Sequence, residues 1–458
     1  MSDFPADSGL LQAHLGRPVL VAIAVELSHR ASTMMMSTAC SLRDSGMDSQ
    51  NGGGRLGTIR CPRQEKNAMN TSHDCSKQYC SGASLLGVLL LTFVLVGVPS
   101  SWAEQPDMKQ ARRQAARRSR PIIYNDDGSY HRPYGTPEKF LSLRLRHLAH
   151  TQMDTVFYCT GNTTIFRGHL PKAGEMHGQL VPVVNDRDKL QLESILALRE
   201  AGHDQLSLAT GFCRDNGTGI FFSLRMNDLH DVFWGSRRSR WKRDHPEYCL
   251  GAEEDSGKYP DSDPRHWWTA LNYEIPEVRD YIFGVCHDVC RRYDMDGIEL
   301  DWMRMPLLFR HSLDLKPVET GQVAMMNDFM RRIRAMTEQV GRKRGRPLLV
   351  STRVPLSASR SLAMGLDVET WLKEDLVDLL ALGGGYAPMA MAPQVREMVK
   401  LGHHHNVQVY ACISKSGMKG EYSCVEAWRG AAMNVWQAGA DGVYTFNLFP
   451  EKPDERFS

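Results

Sequence analysis

The chain has 458 residues, 42% hydrophobic and 24% charged, an ordinary globular composition with material for a large core. A formal net charge of +2 points to no polyanionic partner, so nucleic acid is not expected. Eleven cysteines include no paired CxxC motif, which argues against a zinc ribbon or a redox dithiol.

Residues 1–80 mix Ser, Gly, Met and charges without sustained periodicity and are assigned no fold. Residues 84–98, SLLGVLLLTFVLVGV, form an apolar run too short for a comfortable transmembrane helix. Ser101, Trp102 and Ala103 then fit a small-x-small cleavage site ahead of Glu104, the layout of a secretory signal peptide. A signal belongs at an N-terminus, and Met69 opens a plausible n-region. Residues 1–68 are therefore expected to be an over-extended start and 69–103 the signal, with an uncleaved anchor as the alternative. The mature chain is expected to be secreted or periplasmic, with no membrane association after cleavage. Residues 104–120 read as a basic, solvated linker, because Lys109–Arg120 holds six basic residues in twelve.

From Pro121 onward, short β-rich runs alternate with helical stretches, as in βα units around a parallel sheet. The strands fall at 121–125, 154–160, 219–225, 296–302, 348–354, 377–383, 407–413 and 441–447. Helices fall among them, for example at 189–202, 276–293, 321–341, 393–405 and 424–439. Eight strands separated in this way predict an α/β chain, a (β/α)8 TIM barrel over residues 121–458. Eleven residues follow the eighth strand, too few for a full last helix. A doubly wound open sheet is disfavoured because no glycine-rich phosphate loop follows the first strand.

The fourth strand, DGIELDW at Asp296–Trp302, carries three carboxylates in six positions. Burying unpaired charge costs several kcal/mol, so these acids need a reason. Side chains alternate along a strand, which puts Glu299 and Asp301 on one face and Ile298, Leu300 and Trp302 on the other. The acids would then face the barrel interior at the C-terminal end, where barrels of this kind do chemistry. The same alternation groups Ser223, Arg225 and Asn227 on the third strand, Ser351 and Arg353 on the fifth, and Thr445 and Asn447 on the eighth. A register-setting ion network is the structural alternative for any one of these strands.

Two carboxylates flanking one bond are the minimum equipment for glycoside hydrolysis, and i,i+2 positions on a strand sit about 6.5–7 Å apart at Cβ. That spacing leaves retaining and inverting outcomes open. A neighbouring arginine would hold one acid ionised while burial raises the pKa of the other. An insertion at 231–275 carries four of the nine tryptophans and must lie over the C-terminal mouth, where aromatic faces suit sugar rings. The triple His403–His405 precedes a strand at the opposite end and reads as surface, and Cys286 and Cys290 as packing on one helical face.

The segment Leu271–Pro306, LNYEIPEVRDYIFGVCHDVCRRYDMDGIELDWMRMP, resembles the core signature of the glycosyl hydrolase-like family 10 barrels. The shared elements are the PEVRDY helix start and the RYD-x-DGI-x-x-D strand, followed by Arg304 and Pro306. Gly439–Pro450 is similar to their last strand. The resemblance implies a secreted glycosidase barrel and carries over Asp296 and Asp301 by motif position. The slot of Glu299 is variable in that motif, so its role rests on strand alternation. A more distant similarity to family 18 chitinase-type barrels fails at their catalytic glutamate, which is Met303 here. Substrate-assisted chemistry is therefore not expected.

The expectation is a hydrolase of O-glycosyl bonds acting on a carbohydrate, with Asp301 and Glu299 as the catalytic pair. Arg225, Asn227, Asp228, Arg304, Arg353, Asn447, Trp267 and Trp268 would meet the substrate. Asp296 starts its strand at the far end of the barrel and is expected to be structural. No metal or cofactor is expected. A non-catalytic carbohydrate-binding barrel is the alternative, and sugar, linkage and oligomeric state are left open.

Overall fold

A computed structural model describes residues 107–128, 133–314, 316, 318–383, 392–414 and 424–448. The expected signal peptide, the segment before it and the question of a last helix lie outside these residues. Ten strands occur among the described residues. They are β1 (Ile122–Asp126), β2 (Thr155–Cys159), β3 (Ile165–Phe166), β4 (Glu175–Met176), β5 (Gly219–Arg225), β6 (Gly297–Asp301), β7 (Leu349–Val354), β8 (Leu379–Leu382), β9 (Gln408–Ser414) and β10 (Gly442–Phe446). All except β3 and β4 form a closed, all-parallel barrel in which β10 pairs with β1. Helices lie between its strands, and each strand falls on one of the eight expected segments. The architecture is a (β/α)8 barrel.

Alternation along the strands separates two apolar layers. Outward-facing Ile298, Leu300 and Trp302 are at most 1% exposed and pack against helix residues such as Phe329 and Trp371. Each such burial contributes about 1.5–3 kcal/mol. Inward-facing Ile123, Phe157, Phe221, Leu349, Leu379, Tyr410 and Tyr444 fill the interior. Phe157 stacks on Phe221 at 4.5 Å between centroids and meets Tyr444 edge-on at 5.5 Å. Gly297 makes room for this filling, since a Cβ there would overlap the Phe221 ring and the Leu349 carbonyl. Strand register then stacks polar layers above the apolar one. Glu299 is level with Ser223 and Ser351, and Asp301 is level with Arg225 and Arg353.

The basic stretch expected as a linker differs in the structure. Met108–Ala116 is a helix capped by the Asp107 carboxylate. Ala116 packs with Ile123, Leu349 and Leu379 at the N-terminal end of the barrel. Arg112, 3% exposed, ion-pairs with Asp378 and donates to Asp375 Oδ2 at 2.6 Å. The partners of this arginine lie more than 260 residues away in sequence, which is why a local reading saw only solvated charge.

Asp296 accepts from Ile220 N at 2.8 Å and meets Arg346 at 3.1 Å, a strand-starting role at the far end of β6. His403 pairs with Asp441 at 2.8 Å on the surface. Cys286 and Cys290 are buried on the helix Pro276–Arg292, and all described cysteines are free thiols. No helix of the described residues is long and apolar enough to cross a membrane.

Candidate active site

Glu299 and Asp301 both project into the upper barrel, where they are 0% and 2% exposed. Their environments differ. Glu299 Oε2 accepts from Ser223 Oγ at 2.5 Å and from the Tyr444 hydroxyl at 2.9 Å. Its Oε1 is buried with no partner among the described residues. Burial, and then the Asp301 charge, pushes the Glu299 carboxyl up to about 7 against the opposing influence of Arg353. Asp301 accepts two hydrogen bonds from Arg353, from Nε at 2.8 Å and Nη2 at 2.6 Å, and a third from Met303 N at 2.9 Å. Arg353 is fully buried, with its guanidinium over the Phe446 ring at 4.0 Å. The strand thus presents one protonatable carboxyl and one carboxylate held in an arginine fork.

A second network adjoins the first. Arg225 Nη1 donates to Asp228 Oδ2 at 2.7 Å, while Nη2 donates to the Asp127 carbonyl at 2.9 Å and also pairs with its carboxylate. Arg304 reaches Asp127 at 3.6 Å and lies over Phe446 at 5.2 Å, so one ring underlies both Arg304 and Arg353. Burial pushes Asp127 and Asp228 upward, but their cationic neighbours outweigh it and hold both below the usual carboxylate range. The Nδ1 of His230 lies 2.9 Å from Asp228, and this imidazole, about 29% exposed, connects the network to solvent.

The structure therefore brings together Glu299, Asp301, Arg353, Arg225, Asp228 and Arg304, and it engages three other expected residues, Asn227, Trp267 and Trp268, in holding the insertion. Asn227 is a tether: it donates to the carbonyls of Leu271 and Leu307 and accepts from Leu271 N, pinning the insertion to the chain after β6. Asn447 follows β10 with φ +52, and the residues facing inward on that strand are Tyr444 and Phe446. Thr445 instead donates to the Ile123 carbonyl on the neighbouring strand. Trp268 is 6% exposed, its indole buried under Arg238. Trp267 packs in a small cluster with Leu229, Leu250 and Leu313, its Nε1 donating to the Asp261 carbonyl at 3.1 Å. Both tryptophans hold the loop together. The open rings of the insertion are Phe233 and Trp234, 49% and 42% exposed.

Asp127, Tyr444 and Phe446 were missed by the sequence reading. Asp127 shares strand parity with Asn125, a signal present in YNDDG; Tyr444 and Phe446 lost to the pull of the polar Thr445 and Asn447. No group of three or more His, Cys, Asp or Glu side chains suited to a metal occurs among the described residues.

No protein-family model matches the chain, and no curated protein matches it. Solved structures are similar in fold. α-L-Fucosidase isoenzyme 2 from Paenibacillus thiaminolyticus is 13% identical with a TM-score of 0.43, covering 71% of this chain and 46% of its own. The PgaB (BpsB) glycoside hydrolase domain from Bordetella bronchiseptica is 14% identical with a TM-score of 0.42, covering 73% and 96% respectively. An endo-β-1,4-mannanase from Thermotoga petrophila is 11% identical with a TM-score of 0.38, covering 71% and 67%. The chain thus spans less than half of the fucosidase and nearly all of the PgaB domain. Likeness at this level says nothing of chemistry.

Proposed function

We propose that the chain is a secreted glycoside hydrolase whose acid is Glu299 and whose carboxylate is Asp301. The observation that carries this is the contrast on one strand. Glu299 is fully buried, with an Oε1 that has no partner among the described residues and a carboxyl raised to about 7, which suits protonation of a leaving glycosidic oxygen near neutral pH. A carboxylate offers about four lone-pair sites, and the three donors on Asp301 leave about one for an anomeric centre or an attacking water. The Arg225 network supplies fixed charge for sugar hydroxyls, and Phe233 and Trp234 offer stacking faces.

One observation favours a non-catalytic carbohydrate-binding barrel instead: both oxygens of Asp301 lie in the fork of a fully buried arginine, as in a structural ion pair. Two substitutions separate the readings on a panel of polysaccharides and aryl glycosides. Hydrolysis by the wild type that is lost in Asp301→Asn and Glu299→Gln, with sugar binding retained in both, supports the enzyme. Binding without turnover in the wild type, unaffected by Glu299→Gln, supports the binder.

A further inference from the structure

A buried cationic cluster lies outside the acid pair. Arg167 follows β3 and His177 follows β4, and the parallel register pairs Phe166 with Met176. His177 N donates to the Phe166 carbonyl at 2.9 Å, so Arg167 and His177 leave the two strand ends side by side. Arg237 arrives from the insertion after β5, its carbonyl accepting from Asn162 Nδ2 at 2.9 Å. Asn162 also closes the turn leading into β3 by accepting from Thr164 N and Ile165 N. Both loops leave C-terminal strand ends, so the cluster stands at the mouth of the barrel.

Arg167 is 4% exposed, Arg237 8% and His177 0%. Neither guanidinium forms an ion pair among the described residues, and the Nε of each is buried without a hydrogen-bond partner. Two buried carboxylates, Asp188 and Asp228, lie within electrostatic reach of both guanidiniums, yet neither makes an ion pair with them. Asp188 accepts from Asn185 at 2.8 Å and Ser236 at 2.9 Å, and Asp228 serves Arg225 and His230. Burial, reinforced by the Arg237 charge, pulls Arg167 down to about 10. A buried guanidinium nitrogen that donates to nothing is unfavourable, and with two such groups beside His177 an oxyanion, which offers several acceptor oxygens at once, is the natural completion of the site. Trp234, 42% exposed, carries the Arg237 guanidinium over its ring at 4.2 Å and the His230 imidazole stacked parallel at 5.8 Å, so the Arg237 end of the cluster adjoins a solvent-facing part of the insertion.

We infer that Arg167 and Arg237, with His177 beside them, form an oxyanion subsite for a carboxylate or sulfate group on the saccharide. That the bearer is a saccharide rests on the function proposed above; the anion site does not. The test uses the full chain with inorganic sulfate, glucuronate and glucose as probes, at ionic strength held constant with chloride. Saturable binding by calorimetry and a rise in Tm are expected for sulfate, glucuronate or both, and not for glucose at equal concentration. Glucuronate alone would mark a uronic acid, and sulfate alone a sulfate ester. Arg237→Gln should weaken that binding at least tenfold, as should Arg167→Gln; if the latter fails to fold, the former decides. No saturable binding beyond chloride, or binding unchanged in Arg237→Gln, overturns the subsite. Because turnover is not read, anion binding by an inactive protein refutes only the hydrolase. Hydrolysis of neutral sugars without anion binding refutes only the subsite.

Discussion

Replacing Glu299 with glutamine should alter the pH dependence of stability in a direction that the site fixes. The wild-type carboxyl moves from an ordinary 4.5 to about 7 on folding, chiefly because it is wholly buried and secondarily because Asp301 is near. A raised acid pKa means that the folded protein holds a proton which the unfolded chain releases. The stabilisation is full below about 4.5 and is lost as pH climbs through about 7. At about 1.4 kcal/mol per pKa unit, the wild type loses about 2–3 kcal/mol between pH 5 and pH 8 through this group. Glutamine cannot ionise and loses none of it. Urea denaturation of both proteins at both pH values, taken as a difference, cancels every other titrating group. The gap should move toward the glutamine variant by that amount on raising the pH. A gap that stays flat, or moves toward the wild type, would show that Ser223, Tyr444 and Arg353 hold Glu299 as an anion, and the proposed acid would be lost.

Other perturbations test the surroundings of the pair. Arg353→Met strands a buried Asp301 with only a backbone donor and should cost about 3–5 kcal/mol in the denaturation midpoint. Asp301→Asn added to it should recover part of that loss, and a fully additive double variant would count against a shared ion pair. Trp234→Ala should weaken oligosaccharide binding by about 1 kcal/mol with little change in stability, whereas Trp268→Ala should lower stability by about 3–5 kcal/mol with its sugar affinity retained. Equal behaviour of the two would erase the distinction between open and buried rings. Exported protein should begin at or near Glu104 by N-terminal sequencing, and a start upstream of Ser84 would remove the signal-peptide assignment.

The barrel was legible because each strand is a short apolar run with its own turn signals, and burial on both faces makes such runs stand out. Glu299, Asp301, Arg225 and Arg353 were legible because charge inside an apolar strand is costly enough to need a partner, and strand alternation names the face. The same rule failed on β10, where polarity drew the eye to Thr445 and Asn447 while aromatic Tyr444 and Phe446 faced inward. In a barrel interior a tyrosine hydroxyl and a phenyl ring under two guanidiniums shape the surroundings of buried acids as much as charge does. Trp268 misled for the opposite reason: composition shows how many rings a loop carries, not which of them the loop consumes in folding. The helix at Met108–Ala116 was invisible because its meaning lies in Asp375 and Asp378, far along the chain.

That helix, together with the β1–β10 pairing, bears on how the protein is made. A ribosome releases Arg112 long before Asp378, and β1 long before the strand that closes the barrel against it. Until Gly442–Phe446 emerges, the nascent sheet has two open edges and Glu299 lacks its tyrosine donor. Closure of the barrel and completion of the acid site are therefore one late, long-range event. A chain cut short before β10 leaves the ribosome with exposed strand edges rather than as a slightly weakened barrel, and quality control during synthesis would meet it as an aggregation hazard.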